Sequence, residues 1–307
     1  MSVKISVIIV SFNCREMLSA CLKSIYESDL RDFEVIVTDN ASSDDTVEML
    51  SRLYPQVKLI QNKINIGFGA ACNLGAEAAQ GGWLFFLNPD TEVKIETFTA
   101  LSRFIDSHPA ACAAGAKLLW PDGSYQDSYK RFFSPFFSMM ELFELHYYFP
   151  KNPFNLRVNY NFEIFNKITK VDWVIGAALA VKRECFKTVG GFDPDFFMYF
   201  EETDLCRRIA QRGGEVFFIP DCEVIHKKGK VSEKTNVRSV AYYKSMYLYH
   251  SKSSSAAAGI LIRISIFLMC LSFLFVLSFK LIFMGNKKYG LKRILDKLEL
   301  LAWSIGL

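Results

Sequence analysis

Short apolar runs alternate with helix-period segments from the start of the chain through residue 120, and this rhythm limits the fold more than any other feature. Ile5 to Val10 reads as a strand, and Arg15 to Glu27 carries Met17, Leu18, Cys21, Leu22 and Ile25 at helical spacing. Phe33 to Thr38 predicts a second strand, and Thr46 to Tyr54 a helix capped from the Ser42 to Asp45 region. A third strand is expected over Val57 to Ile60, an alanine-rich helix over Phe68 to Ala79, and a fourth strand over Trp83 to Leu87. Strands that alternate with helices imply an α/β fold with a mainly parallel central sheet covered on both faces. In such sheets the ligand lies outside the carboxyl ends of the strands.

Those ends are polar. They read Ser11-Phe12-Asn13, then Asp39 to Asp44, then Asn65-Ile66-Gly67-Phe68-Gly69, then Asn88-Pro89-Asp90. Loops of this composition are also ordinary turns. Four of them on one edge suit a nucleotide and a metal. Gly67 to Cys72 nearly fits the G-x-G-x-x-G/A fingerprint, but its third position is Cys and it follows the third strand, so a dinucleotide reading is weak. A G-x-x-x-x-G-K-[ST] loop, a serine nucleophile elbow and an H-E-x-x-H helix are all missing, which argues against P-loop, serine-hydrolase and zincin chemistry.

Further on, two aromatic clusters in Phe192 to Phe200 run into Glu201, Glu202 and Asp204. A helix is expected from about Glu201 to Arg212, stopped by Gly213 and Gly214. Carboxylates in a first helical turn favour the macrodipole whatever else they do. On a rigid element beside an apolar wall they also suit a general base that takes a proton from a sugar hydroxyl. Asp90 can place one carboxylate on Mg²⁺ or Mn²⁺ bridging a diphosphate. His226 ends the apolar run Cys222 to Ile225 and precedes Lys227, Lys228, Gly229 and Lys230. A lone histidine is usually structural, but this basic, glycine-containing neighbourhood makes it a partner for a diphosphate.

The chain of 307 residues carries a net charge of +4, room for one large domain or a domain plus an appendage, and no balance that suggests nucleic acid. Its eight cysteines form no C-x-x-C pair and are expected to be reduced, buried and cytosolic. Val7 to Val10 is too short and too soon interrupted for a signal peptide, and reads as the buried first strand. About 132–170 is rich in Phe, Tyr, Asn and Pro without clean periodicity, and is expected to be an insertion that covers the site or walls the acceptor. An apolar strand is expected over Val171 to Val181. The domain then spans 1–250, and 251–307 forms a tail. Ile264 to Phe279 lacks charge, yet it is shorter than the roughly 20 residues that span a bilayer. Arg263 and Lys280 could extend it by snorkelling. Lys287 to Trp303 sets Leu291, Ile294, Leu295, Leu298 and Leu301 opposite Lys288, Lys292, Arg293 and Lys297, a basic interfacial pattern. Membrane association is expected, and spanning versus lying in the interface stays open.

The ordered motifs resemble the inverting glycosyltransferases of family 2, within them the bacterial rhamnosyltransferase group. The pieces are Val7 to Asn13, Thr38 to Ser42, Asn65 to Asn73, Leu87 to Asp90, Gly176-Ala177-Ala178, Gly190 to Asp193, Phe196 to Arg208 and Ile225-His226. The resemblance implies a GT-A nucleotide-sugar-binding fold. It implies that Asp39 binds the base or ribose, helped by Ser11 and the Asn65–Gly67 turn, with Asn13, Asn73 and Asn88 among the nucleotide-sugar contacts. Asp90 takes the last position of the family's D-x-D motif, with Asn88 at the first, and His226 matches the metal- or diphosphate-contacting histidine. Glu201-Glu202 replaces the family's Glu-Asp pair, which makes Glu202 the base and leaves Glu201 and Asp204 to bind acceptor or fix the helix. The implied reaction moves a sugar, L-rhamnose from dTDP-rhamnose as first choice, to a glycan or lipid-linked glycan of a bacterial surface polysaccharide. The implied location is the cytoplasmic face of the cell membrane, reached through the C-terminal tail, with Mg²⁺ or Mn²⁺ as cofactor. A UDP-sugar donor (galactose, galactofuranose or N-acetylglucosamine) and a non-catalytic nucleotide-sugar-binding membrane scaffold are the rival readings.

Overall fold

A computed structural model describes residues 4–29, 32–143, 166–227, 240–284 and 291–306. The centre of the aromatic-rich stretch, 144–165, lies outside them, as do Lys228, Gly229, Lys230, Lys287 and Lys288, and the side chains of Lys280, Lys292 and Arg293.

The first strands are β1 (Ile5–Ser11), β2 (Phe33–Asp39), β3 (Lys58–Gln61) and β4 (Trp83–Leu87). Between them lie α1 (Arg15–Tyr26), α2 (Thr46–Leu53) and α3 (Phe68–Ala78). Every residue of β1 and β4 is buried, as expected for strands with helices on both faces. α1 turns Leu18, Cys21, Leu22 and Ile25 inward, one apolar stripe at helical period. The order β3-β2-β1-β4 is parallel throughout, so the four polar strand ends share one edge.

Next come β5 (Thr91–Val93), α4 (Thr97–Ser107), β6 (Ala111–Leu119), β7 (Tyr125–Gln126), β8 (Tyr129–Lys130) and α5 (Pro135–Leu142). They are followed by β9 (Thr169–Val171), β10 (Trp173–Val174), β11 (Ala178–Lys182), α6 (Arg183–Thr188), α7 (Glu201–Gln211) and β12 (Glu215–His226). β11 runs antiparallel between β4 and β6, and β12 lies parallel to β6. The single strand expected over Val171 to Val181 is thus three short ones. β10 leaves the main sheet to pair with β8, and the turn at Gly176 separates it from β11. The cysteines also depart from expectation: Cys112 and Cys185 form a disulfide with Cα atoms 5.7 Å apart, while Cys14, Cys21, Cys72, Cys206, Cys222 and Cys270 are buried free thiols. Fold proximity joins two cysteines 73 positions apart that no local spacing marks.

The chain divides into two units. One gathers the described residues of Met1–Phe132, Tyr160–Phe197 and Glu201–Lys230, and the other those of Phe133–Asn159, Met198–Phe200 and Val231–Leu307. The second unit contains α5 with α8 (Val240–Ser253), α9 (Ala256–Met284) and α10 (Leu291–Ser304). Inside it the Ser134 hydroxyl caps α5 by accepting from the Phe137 N–H at 3.2 Å, with Pro135 in the first turn. The buried Ser138 hydroxyl meets His250 Nε2 at 2.8 Å.

Candidate active site

Ser11 and Asp39 stand opposite each other at the ends of β1 and β2. The Asp39 carboxylate is only 2% exposed and accepts from Ser11 Oγ at 2.8 Å, Ser42 Oγ at 2.5 Å and the Ser42 N–H at 2.9 Å. Asn13 Oδ1 accepts from the Ser43 N–H at 2.7 Å, while the Asn13 N–H donates to Ser42 Oγ at 3.0 Å. Asn13 and Ala41 both hold left-handed backbone, with φ of 49° and 63°. Such conformations cost on the order of 1–3 kcal/mol each and recur at ligand clamps.

The third strand end closes onto the same rim. Asn40 Nδ2 donates to Asn65 Oδ1 at 3.2 Å and to the Gly67 carbonyl at 3.1 Å, and the Gly67 N–H donates to Asn65 Oδ1 at 3.0 Å. Gly67 has φ of 88°, and a Cβ there would sit 2.6 Å from the Phe197 carbonyl oxygen, so both backbone and space require glycine. Asn73 Nδ2 donates to the Phe192 carbonyl at 2.8 Å and its Oδ1 accepts the Phe192 N–H at 2.9 Å, so its amide clamps the Phe192 backbone. It lies in α3, past the strand end, where its reach is toward the Gly190–Phe192 turn.

Glu201 and Glu202 open α7. Glu201 is 6% exposed and packs its Cβ near Gly69, 3.6 Å from where a Cβ there would lie. Burial, and then the neighbouring Glu202, push its carboxyl well above the usual carboxylate range. Burial also raises Glu202, but here the N–H groups of Glu202, Gly176 and Thr203 pull the other way, with Gly176 N–H to Oε1 at 3.3 Å. Both carboxyls are thus pushed up, Glu201 the further, while the amide N–H groups around Glu202 act against its burial. The Oε2 atoms of both are buried with no hydrogen-bond partner among the described residues. Asp204 is turned elsewhere. It binds Arg208 Nε at 2.7 Å, and Arg208 Nη1 donates to the Val189 and Gly191 carbonyls at 2.7 and 2.8 Å. Through Arg208 it ties α7 to the Gly190–Gly191 turn.

The same turn that supports Glu202 leads to Asp90 and His226. The Asn88 N–H donates to the Ala177 carbonyl at 3.0 Å, one residue past Gly176. Thr91 Oγ1 holds the Asn88 carbonyl at 2.7 Å, which fixes the Asn88-Pro89-Asp90 turn. Asp90 Oδ1 lies 3.5 Å from His226 Nε2, with both side chains largely buried. His226 reaches this place because β12 pairs with β5, setting His226 opposite Thr91. Gln126, invisible to the sequence argument, contacts His226 Nδ1 through Oε1 at 2.6 Å. An amide oxygen can only accept, so Nδ1 is the donor in that contact and Nε2 is the ring nitrogen that faces Asp90. Its burial at 5% exposure in a two-residue strand is the structural sign, and nothing in the sequence spacing announces it. Lys227 pairs with Glu92 instead of reaching toward a diphosphate.

Among the described residues no group of three or more His, Cys, Asp or Glu side chains could hold a metal. The Asp90 carboxylate suits Mg²⁺ or Mn²⁺, ions that commonly keep waters and substrate phosphate oxygens in their remaining positions, and the imidazole nitrogen beside it suits Mn²⁺, the softer transition metal, better than Mg²⁺.

The sequence pattern described as Glycosyl transferase family 2 matches residues 6–190. "N-acetylglucosaminyl-diphospho-decaprenol L-rhamnosyltransferase" of Mycobacterium tuberculosis (strain CDC 1551 / Oshkosh) is 30% identical over 256 residues, covering 79% of this chain and 82% of that protein. "Rhamnosyltransferase WbbL" of Escherichia coli (strain K12) is 26% identical, covering 72% of this chain and 82% of its own length. Among solved structures, S. aureus TarS 1-349 has a TM-score of 0.55 at 16% identity, covering 99% of this chain and 81% of that one. The chain spans 43% of a longer S. aureus TarS. Mannosyltransferase PcManGT from Pyrobaculum calidifontis, in complex with GDP-Man and Mn²⁺, has a TM-score of 0.56 at 16% identity, covering 98% and 86%.

Proposed function

Because the chain belongs to glycosyltransferase family 2 and has the GT-A fold, we propose that it moves L-rhamnose from dTDP-rhamnose to a sugar of a lipid-linked glycan, with inversion at the anomeric carbon. The observation that carries the chemistry is Glu202: a carboxyl with the Gly176 amide donor on one oxygen and an unpartnered, buried second oxygen. That second oxygen is where an acceptor hydroxyl would donate.

In the proposed single displacement, Glu202 takes the hydroxyl proton as the acceptor oxygen attacks the anomeric carbon from the side opposite the leaving nucleoside diphosphate. The bonds between Ser11, Asp39, Ser42 and Asn13, and the Asn65–Gly67 turn, hold the rim on which the nucleotide would lie, with Asn88 at the diphosphate end. Asp39 serves the base or ribose from within this bonded rim. Asp90 and His226 would hold a divalent cation, which when bound supplies Lewis-acid neutralisation of the leaving diphosphate. Gln126 keeps the His226 Nε2 lone pair available. Glu201, its carboxyl pushed up by burial and then by Glu202, is suited to donating a hydrogen bond to the acceptor.

The rhamnosyl donor and lipid-linked acceptor rest on the names of the two rhamnosyltransferases above, one of which names a decaprenol-linked substrate. We place the reaction at the cytoplasmic face of the membrane, with the catalytic domain in residues 1–250 and the tail in 251–307 as its attachment. Support for the attachment is Ala256–Leu277, long and apolar enough to cross a membrane.

A donor panel tests the proposal, with dTDP-rhamnose, UDP-galactose, UDP-galactofuranose and UDP-N-acetylglucosamine offered beside a lipid-diphosphate N-acetylglucosamine acceptor. The expected result is transfer from dTDP-rhamnose with inverted configuration in the product. Transfer from a UDP-sugar alone overturns the donor assignment. Nucleotide-sugar binding without transfer or hydrolysis of any donor favours the scaffold reading.

A further inference from the structure

The α9 helix has two opposite faces of different character. Ile260, Ile264, Leu268, Leu271 and Phe275 are 41–74% exposed. At 3.6 residues per turn they fall in one stripe roughly 24 Å long. Half a turn away, Ile262, Ile266, Met269, Cys270 and Leu277 are buried. No charge lies on the stripe: Arg263 is the one charged residue between Ala256 and Phe279, and it is turned inward. Arg263 Nη2 and Nε donate to the Trp303 and Ser304 carbonyls at 2.7 and 3.1 Å, capping α10, and its guanidinium lies over the Trp303 ring at 5.1 Å.

The partners of the inner face are not those of a membrane-crossing bundle. α8 and α10 have 14 residues each, about 21 Å of helix and too short to span a bilayer. They carry Lys244 and Glu299 as an exposed ion pair at 3.0 Å, and Lys297 sits over the Tyr243 ring at 4.6 Å. A crossing α9 would draw these charges into hydrocarbon. Beside the stripe, a cleft of about 230 Å³ lined by Ile260, Ile264, Phe267 and Ile305 continues the apolar surface onto the end of α10. Residues 285–293, which follow α9, contain Lys287, Lys288, Lys292 and Arg293 and no acid. An uncharged stripe followed by a purely cationic segment complements an anionic lipid surface.

We propose that α9 docks in one leaflet of an anionic membrane, along its length and with the Ile260–Phe275 stripe facing the acyl chains, rather than crossing the bilayer. This rests on the membrane attachment proposed above and names its mode. The purified full chain is tested by co-sedimentation with vesicles of phosphatidylcholine alone or mixed with phosphatidylglycerol, and by alkaline carbonate extraction of cell membranes. Binding to the anionic vesicles is expected, with release by carbonate. Leu268→Glu with Phe275→Glu, both on exposed positions, should weaken vesicle binding by at least about ten-fold, while Ile95→Glu, an exposed apolar residue of the other unit, should not. Undiminished binding by the double variant, or retention of the wild type after carbonate, overturns the proposal. So does self-association that the double variant abolishes in a chain that ignores vesicles, since a second copy would then cover the stripe. Donor hydrolysis is followed in parallel: its loss in every variant and the wild type counts against the enzyme reading alone, and its persistence with vesicle binding absent counts against the docking alone.

Discussion

The rim at the ends of β1 and β2 and the start of α7 handle buried polar atoms in opposite ways. On the rim, Asp39 is held by three hydrogen bonds from Ser11 and Ser42, Asn13 ties its loop to Ser43, and Asn65 closes its own turn. At α7, Glu201 and Glu202 each leave a carboxylate oxygen buried and unbonded among the described residues. A bonded rim is already in shape before any ligand arrives, so binding costs it little reorganisation. An unbonded buried carboxylate is destabilising by itself and persists where something else is to bond it. The contrast separates a surface built to hold from one built to react.

The sharpest way to break that contrast is at Glu202. Glu202→Gln keeps the shape and removes the base, and should lower turnover by about 10²- to 10⁴-fold with donor affinity unchanged by calorimetry. Equal loss of donor affinity would put Glu202 with the holding surface. On the rim, Gly67→Ala should do the reverse. It forces a Cβ toward the Phe197 carbonyl at positive φ and should cost about 2–4 kcal/mol in urea unfolding, with donor affinity falling too. A variant as stable as wild type would show that the turn relaxes freely. Gln126→Leu tests the metal side: freeing His226 from its Nδ1 partner should weaken Mn²⁺ binding by about 10- to 100-fold, read by titrating Mn²⁺ into the donor complex. Unchanged Mn²⁺ affinity would leave Gln126 a packing residue.

The smallest expected effect concerns Glu201 and pH. Its folded-state pKa is raised by burial and by Glu202. The protonated form is therefore the stable one: its contribution is fully present below the unfolded value and is lost as pH rises toward and through the folded one. Glu201→Gln removes that titration. The stability difference between about pH 5 and pH 8 should shrink by about 1 kcal/mol or more in the variant, measured by chemical unfolding at each pH. An unchanged difference would mean that Glu201 is hydrated in solution.

Much of this was readable beforehand, for identifiable reasons. β1, β4 and α1 were legible because full burial and the 3.6-residue stripe leave strong local patterns. The start of α7 was legible from its acids and its end from Gly213. The split of Val171 to Val181 was not, since it depends on β10 finding β8 some forty residues away. Gln126 was hidden for the same kind of reason: its meaning comes from His226, 100 positions on. The bonds of Asn73 were hidden because its place in a motif says nothing of which backbone its amide will meet. The Cys112–Cys185 pair and the inward turn of Arg263 likewise belong to tertiary proximity.

One chain of contacts carries a consequence for the enzyme's tolerance of change. From Asn73 on α3 it runs through the Phe192 backbone to Gly191, then through Arg208 to Asp204 on α7. The helix that follows the Asn65–Gly67 turn and the helix that bears Glu202 are thereby braced like two posts of a frame. With the posts set, the reach of the base is decided by its own side chain. For the base proposed at Glu202, that reach is the length of a glutamate side chain.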